Sequence, residues 1–312
     1  MTNPARSRAL DLLKIAMAIA VVGIHANPVA PLGRTAILLT GDGLFRIAVP
    51  VFLVINGYFF AQLAEGAPMR AWLKRLGFLY VAWMVLYLPV SWRSFEAQPL
   101  TGILRDAVLG YWHLWYLSGT FLAGALVILM RGWGTRALVL VMLTSFGCGL
   151  AITWAVSWGG IEGKIWYHRN GLFLCLPFFL AGLLIRRHDL AARFSLPALG
   201  LMAGLGVVAV LAESLLLSAL APHGVAHDNL LSLALAAPAL VMLALRLPLG
   251  SAGRELGQYA NGIYFTHVAP CALLFRYFRE DLSRPVIFAL TLGIALVMTW
   301  GLIRSGLARR LL

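Results

Sequence analysis

The chain has 312 residues, of which 61% are hydrophobic and 12% are charged, and its formal net charge is +13. This apolar composition excludes an ordinary soluble globular domain and indicates a polytopic membrane protein. The basic residues lie in short segments between apolar runs, where they act as topology signals and contact anionic headgroups. We therefore expect membrane lipids, and not nucleic acid, as partners.

The apolar runs predict an all-α bundle of about ten transmembrane helices. A helical run of about 20 residues is long enough to cross ~30 Å of hydrocarbon. In chain order, such runs occur at about 8–26, 43–63, 71–92, 112–130, 136–158, 170–186, 195–220, 228–247, 256–279 and 284–307. No internal repeat, low-complexity tract or soluble region is apparent between them, so residues 1–312 are predicted to form one integral-membrane domain.

The loop charges predict the orientation of this bundle. An even number of spans places both termini on one side, and the segments on that side hold more Lys and Arg residues than those on the other. The positive-inside rule therefore predicts that both termini are cytoplasmic. Asp11 and Lys14 interrupt the first run, which is unlike a cleaved signal peptide, so we expect the first helix to remain.

The first predicted helix carries three ionisable residues, Asp11, Lys14 and His25. Lys14 and His25 are about 16 Å apart along a helix and within about 20° of the same face, and Asp11 and Lys14 have the i,i+3 spacing of an ion pair. Ionisable groups inside a membrane usually face a cavity and mark function. The same spacing also suits an ordinary interpretation, in which Asp11 and Lys14 lie at the cytoplasmic interface and His25 caps the far end of the helix. Both interpretations stay open.

Four stretches in chain order carry a family resemblance. They are "KIAMAIAVVGIH" (14–25), "VPVFLVINGYFF" (49–60), "WHLWYL" (112–117) and "GQYANGIYFTHV" (257–268). Each is short, but together they fall in successive predicted spans along nearly the whole chain. In that order they resemble the motifs of the membrane acyltransferase-3 family, the integral-membrane O-acyltransferases that modify bacterial cell-surface glycans.

The resemblance implies an enzyme of the bacterial inner membrane. Its reaction would transfer an acyl group, most often acetyl from cytoplasmic acetyl-CoA, to a hydroxyl of a carbohydrate acceptor such as an exopolysaccharide, an O-antigen or a lipid-linked glycan. His25 would be the general base, because an imidazole can accept a proton at neutral pH. An acyl-His intermediate stays open as an alternative. No metal is expected, since the three cysteines lack paired spacing.

The resemblance also implies where the anionic donor is held. The predicted cytoplasmic face holds Lys14, Lys74 and Arg75, which are candidates for binding the CoA phosphates. Asp11 lies beside Lys14 and is a candidate for the same donor site. The ~16 Å between Lys14 and His25 is of the order of an extended pantetheine arm. The family usually has a second arginine three residues after Arg75, where this chain has Phe78.

Other motif residues are candidates for orienting substrate or lining the same cavity. Ordinary alternatives are an interfacial aromatic belt and hydrogen-bonded core groups. Asn56 occupies a position where serine is commoner in the family. The candidates are Asn56, Tyr58, His113, Trp115, Tyr264 and His267.

Two other functions compete with this interpretation. About ten spans with scattered intramembrane charges also suit a transporter or flippase of a glycan or small metabolite, although no inverted repeat is visible. A different membrane O-acyltransferase family also uses an intramembrane His, but not in its first span. His223 and Asp228 have the spacing of a glycerolipid acyltransferase motif, yet they lie in a loop predicted to be outside, so we assign them no role. The acceptor's identity and the oligomeric state, including a homo-oligomer, stay open.

Overall fold

The computed structural model describes residues 7–63, 66–96, 98–161, 163–221, 227–251 and 253–312. Within these ranges the protein is built of helices, and the only extended pairing is an isolated bridge between Ser7 and Ser251. The α-helices are α1 (Arg8–Ala26), α2 (Arg34–Leu39), α3 (Ala48–Phe60), α4 (Ala67–Glu96), α5 (Leu100–Leu109), α6 (Trp115–Leu129), α7 (Thr135–Ser157), α8 (Leu176–Arg187), α9 (Leu190–Arg193), α10 (Leu196–Leu220), α11 (Leu233–Arg246), α12 (Arg254–Thr266), α13 (Val268–Tyr277), α14 (Arg284–Arg304) and α15 (Ala308–Leu311).

The helices confirm a polytopic all-α bundle. Seven helical segments of the described ranges are long and apolar enough to cross a membrane, and α11 is a shorter apolar helix. These seven are Arg8–Ala26, Arg34–Phe60, Ala67–Trp92, Trp112–Leu129, Thr135–Ser157, Leu196–Leu220 and Arg284–Arg304.

Two further predicted spans are interrupted helices. The span predicted at 170–186 begins as a π-helical turn, Gly171–Cys175, whose first amides donate to the side chain of Asn170. The span predicted at 256–279 is divided between α12 and α13 at His267. Pro270 lacks the amide hydrogen that the carbonyl oxygen of Thr266 would otherwise accept, which favours a break there. Irregular backbone is tolerated at membrane depth where it borders a cavity.

Helix α5 is an element that the sequence analysis did not predict. It is too short to cross a membrane, and its exposed Leu100, Leu104 and Val108 recur every four residues. Such a one-sided apolar stripe is typical of a helix that lies in the membrane interface. A search for long apolar runs cannot find such a helix.

Helices α3 and α8 approach each other at two glycines. A Cβ on Gly57 would lie 1.9 Å from the carbonyl oxygen of Phe179, and one on Gly182 would lie 1.9 Å from that of Val54. Small residues let membrane helices pack backbone against backbone. The glycine of the "NGY" motif therefore serves packing.

Helix α1 is central and packs against α3, α11, α12 and α14. We call the end of the bundle where α1 begins the inner end, and the opposite end the outer end, following the predicted orientation. Lys14 is nearer the inner end and His25 is at the outer end. Neighbours on several sides of α1 allow both side chains to border cavities within the bundle.

Candidate functional site

A cavity of about 330 Å³ lies at the outer end of the bundle. Residues of α1, α3, α6, α12 and α13 line it, together with residues from the segments that connect the helices. The polar and aromatic residues that line it are His25, Arg46, Trp112, His113, Trp115, Tyr116, Arg169, Asp228 and Tyr264. We call this space the outer cavity.

Three imidazoles cluster at the outer cavity. The ring centroid of His267 lies 5.2 Å from that of His25 and 5.2 Å from that of His113. His113 and His267 are only 3% and 0% exposed, whereas the side chain of His25 is accessible. Of the three, His25 is therefore the imidazole that a substrate in the cavity can reach.

The tautomer of neutral His267 is fixed by its backbone neighbours. Its Nδ1 lies 2.8 Å from the carbonyl oxygen of Tyr264 and 3.0 Å from that of Ile263. Carbonyl oxygens only accept hydrogen bonds, so Nδ1 carries the hydrogen and Nε2 the lone pair. The break between α12 and α13 thus holds His267 in one orientation beside His25.

A charged cluster forms another wall of the outer cavity. Arg46 Nη1 donates to Asp228 Oδ1 over 2.8 Å, and its Nη2 lies 3.2 Å from Asp42 Oδ1. Arg169 lies 4.0 Å from the same oxygen of Asp228 and 5.1 Å from the ring centroid of Trp115. Burial alone raises the pKa of Asp228, but the charges of Arg46 and Arg169 outweigh it and lower that pKa below its ordinary value.

Sequence reasoning missed this charged cluster. Arg46 and Arg169 fall near span ends and served only as orientation signals, while Asp228 lies 182 positions after the arginine that it binds. His223, the other half of the rejected motif, lies outside the described residues. The only signal in the sequence was the presence of charge beside predicted spans.

A second cavity, of about 280 Å³, lies toward the inner end, and an adjoining space of about 350 Å³ extends it. Lys14, Arg75 and Asn261 line both, and we call them together the inner cavity. Lys14 Nζ lies 3.5 Å from Asp11 Oδ1, and Asp11 is buried. The inner cavity therefore carries the cations that an anionic ligand requires.

An aromatic wall separates the two cavities. Tyr116 and Tyr264 line both, their ring centroids are 5.3 Å apart, and Phe52 lies 6.4 Å from each. The hydroxyl of Tyr264 donates to the carbonyl oxygen of His113, and Asn56 Nδ2 donates to the hydroxyl of Tyr116, both over 2.7 Å. We call Phe52, Tyr116 and Tyr264 the aromatic wall.

The candidates from the sequence divide between these places. The outer cavity is lined by His25, His113, Trp115 and Tyr264. His267 packs against His25 and His113, with its ring centroid 5.2 Å from each of theirs. The inner cavity is lined by Lys14, Asn56, Arg75 and again Tyr264. Asp11 is buried beside Lys14.

Two candidates lie apart from both cavities. Lys74 is exposed and is not among the residues that line either cavity. Tyr58 packs toward α8, where Arg186 Nη1 donates to its hydroxyl over 3.3 Å. Its position therefore indicates helix packing.

Glu213, a lone acidic residue in the span predicted at 195–220, has a structural role. Its two carboxylate oxygens accept from the amides of Leu231 and Ser232, each over 2.7 Å. A carboxylate there satisfies amides that the start of α11 leaves without helical partners.

Comparison with known proteins assigns the chain to a family. Residues 7–304 match the family described as the acyltransferase domain, known as acyltransferase-3, and the chain belongs to that family. No solved structure matches the chain significantly.

Two curated relatives from enterococci carry racemase names. An amino-acid racemase of Enterococcus faecalis is 27% identical over an alignment 212 residues long, which covers 58% of this chain and 29% of that protein. A serine/alanine racemase of Enterococcus gallinarum is 27% identical over an alignment 251 residues long, which covers 72% of this chain and 35% of that protein. The chain thus spans about a third of the length of these relatives.

Proposed function

We propose that this acyltransferase moves an acetyl group from acetyl-CoA to a hydroxyl of an exported or cell-surface carbohydrate, within the bacterial cytoplasmic membrane, and that His25 is its general base. The observation that carries the proposal is the accessibility of one imidazole among three. His25 faces a cavity at the outer end, and only the aromatic wall separates that cavity from a cationic inner cavity. Donor and acceptor thus approach the same group from opposite ends.

The proposed reaction needs one proton acceptor and one leaving group. A ring nitrogen of His25 takes the proton of the acceptor hydroxyl while the oxygen attacks the thioester carbonyl. The C–S bond then breaks, and the CoA sulfur leaves and receives the proton. Arg46 and Arg169 line the same cavity, where positive charge favours the negative charge that develops on the carbonyl oxygen.

The proposed donor site lies in the inner cavity, with Lys14 and Arg75 facing the CoA phosphates. Lys14 and His25 occupy one continuous helix, so the ~16 Å between them is the distance that the pantetheine arm has to cover. In the structure the aromatic wall crosses this path. Catalysis therefore requires the rings of Tyr116 and Tyr264 to move.

The direct test of the proposal compares His25→Ala with the unmodified enzyme in detergent. We expect release of CoA from acetyl-CoA to fall by about 10²- to 10⁴-fold, the usual contribution of a general base. The melting temperature should not change, because the side chain of His25 is accessible and removing it leaves the core intact. His188→Ala is the matched control, since that imidazole pairs with Thr135 near the start of α7. An undiminished rate in His25→Ala, or transport of a solute without use of acetyl-CoA, contradicts the proposal.

The donor site has its own test. We expect Lys14→Ala to weaken CoA binding about tenfold, equivalent to ~1.4 kcal/mol, measured by calorimetry on the purified protein. Lys74→Ala removes the same charge outside the inner cavity, so its effect should be smaller. Equal affinities for Lys14→Ala and the unmodified protein would reject the assignment of Lys14.

A further inference from the structure

The inner cavity has two parts, and the adjoining space is the part further from the aromatic wall. Along α12, Gly257 and Gln258 line the adjoining space, whereas Tyr264 lines the deeper cavity. The segment before α12 lies beside the start of α1, because the amide of Arg8 donates to the carbonyl oxygen of Gly250 over 3.1 Å. The adjoining space is therefore at the inner end of the bundle, and we call it the vestibule.

Helix α15 closes one side of the vestibule. Gly306 has a φ of +76°, a left-handed conformation that ends α14 and turns the chain. Ala308, Arg309 and Leu312 then line the vestibule. Since Ala308 is buried, α15 packs against the bundle at this place.

Two side chains of α4 hold α15 through its backbone. Arg75 Nη1 donates to the carbonyl oxygen of Arg309 over 3.1 Å, and Trp83 Nε1 donates to that of Leu311 over 3.0 Å. The last carbonyl groups of a helix have no helical partners, so such donors stabilise its end. Because these contacts use the backbone of α15, a change of the Arg309 side chain leaves them in place.

The vestibule is cationic. Among the described residues that line it, Lys14, Arg75 and Arg309 carry positive charge and none carries negative charge. Asp11, which lies 3.5 Å from Lys14, offsets part of this charge. Lys14 and Arg75 also line the deeper cavity, whereas Arg309 lines the vestibule only. Arg309 is therefore the cation furthest from the aromatic wall.

This order of cations matches the order of charges along coenzyme A. In the proposed donor, the pantetheine arm joins the thioester to a diphosphate, and the diphosphate is joined to a ribose that carries a 3′-phosphate. With the thioester directed at His25, the diphosphate lies beside Lys14 and Arg75, and the 3′-phosphate comes last. A phosphate monoester carries about −1.5 to −2 charges at neutral pH, and a guanidinium can donate two hydrogen bonds to it.

From this arrangement we infer that Arg309 binds the 3′-phosphate of the ribose and so selects CoA over carriers that lack this group. The inference rests on the proposed function for the identity of the donor. Arg310, the next residue of α15, is also exposed but does not line the vestibule. The assignment is therefore specific to Arg309.

Calorimetry with CoA and with 3′-dephospho-CoA tests the inference on the full chain in detergent. We expect the unmodified protein to bind CoA about tenfold more tightly than dephospho-CoA, as for one added charge-assisted hydrogen bond. Arg309→Gln should lower the affinity for CoA about tenfold and leave that for dephospho-CoA unchanged, so that both ligands bind equally. Arg309→Lys, which keeps the charge, should restore part of the preference for CoA.

Two comparisons separate this effect from a general loss of charge. Arg310→Gln removes the same charge from the neighbouring residue and should leave both affinities unchanged. Lys14→Ala should weaken the binding of both ligands to the same extent, because both retain the diphosphate that Lys14 faces. Arg309 and Arg310 are both exposed, so neither glutamine disturbs the core.

The outcomes distinguish this inference from the proposed function. Equal affinities of the unmodified protein for CoA and dephospho-CoA overturn the inference. An Arg309→Gln variant that keeps the preference, or that binds both ligands more weakly by the same factor, also overturns it, and acetyl transfer by the unmodified enzyme then leaves the proposed function standing. If Arg309→Gln abolishes the preference while no acetyl reaches a carbohydrate, the proposed function fails and the nucleotide site stands.

Discussion

At the scale of single residues, Asp228 holds two arginines at the outer cavity. Its carboxylate accepts from Arg46 and lies 4.0 Å from Arg169. Because these charges lower its pKa in the folded protein, the ionised carboxylate stabilises the fold fully at pH values above the unfolded pKa of about 3.9. That contribution is lost as the pH falls through the lower folded pKa.

We predict that Asp228→Asn lowers the free energy of unfolding by about 2 kcal/mol at neutral pH, since both arginines lose their shared counter-charge. Melting curves of the purified protein from pH 7 downward measure the effect. The difference between variant and unmodified protein should narrow below about pH 4. Asp189→Asn is the control, because Asp189 is exposed and has a left-handed backbone that Asn also adopts. A difference that is constant with pH would show that the carboxylate's charge is unimportant.

The sequence predicts the helical part of this site better than its loops. His25, His113, Trp115 and Tyr264 belong to motifs within spans, and the structure places all four around one cavity. Arg46, Arg169 and Asp228 come from three segments that are distant in sequence and lie outside the four family motifs. Their pairing depends on how the loops fold over the outer end, which periodicity does not encode.

At the scale of elements, α3 and α8 approach each other more closely than any other helices that meet at a described glycine. Their separation is set by Gly57 and Gly182, each facing a backbone carbonyl of the other helix. Asn56 lies beside Gly57 in sequence, so this contact also determines where Asn56 meets Tyr116. Packing and wall geometry are thereby linked.

We predict that Gly182→Ala lowers stability by at least about 1–3 kcal/mol, because the added methyl group overlaps the Val54 carbonyl oxygen and forces the helices apart. Circular dichroism during thermal unfolding in detergent measures this. Gly200→Ala in α10 is the matched control, because no atom lies within 4 Å of its added Cβ. Equal losses in both variants would contradict the close-packing account.

The boundaries of elements were only partly predictable. Long apolar runs located α1, α7, α10 and α14 to within a few residues, because such runs are continuous helices. Two features were not predicted: the break at His267 and the interfacial helix α5. The break depends on a local proline and on neighbours that line a cavity. The second carries its apolar residues on one face only, so polar residues interrupt every apolar run within it.

At the scale of the whole molecule, two cavities lie in line along α1 and meet at the aromatic wall. The wall keeps His25, in the outer cavity, apart from the cationic inner cavity. In the proposed reaction such a barrier is an advantage, because a thioester exposed to water beside a general base is lost to hydrolysis.

We predict that Tyr116→Ala joins the two cavities and raises hydrolysis of acetyl-CoA severalfold in the absence of an acceptor. Tyr116→Phe is the matched comparison, since it keeps the ring and removes only the hydroxyl that Asn56 contacts. Thiol release followed with a chromogenic disulfide reports both rates. A Tyr116→Ala rate equal to that of the unmodified enzyme would show that the wall does not protect the thioester.

The central claim is that a donor from the inner end and an acceptor at the outer end meet at His25. Membrane vesicles from bacteria that produce the protein test it, with impermeant acetyl-CoA radiolabelled in its acetyl group added outside. We predict labelled acetyl esters on carbohydrate in inverted vesicles, whose cytoplasmic face is outward, and none in sealed right-side-out vesicles or with His25→Ala. Equal labelling in both vesicle types, or undiminished labelling with His25→Ala, would contradict the account.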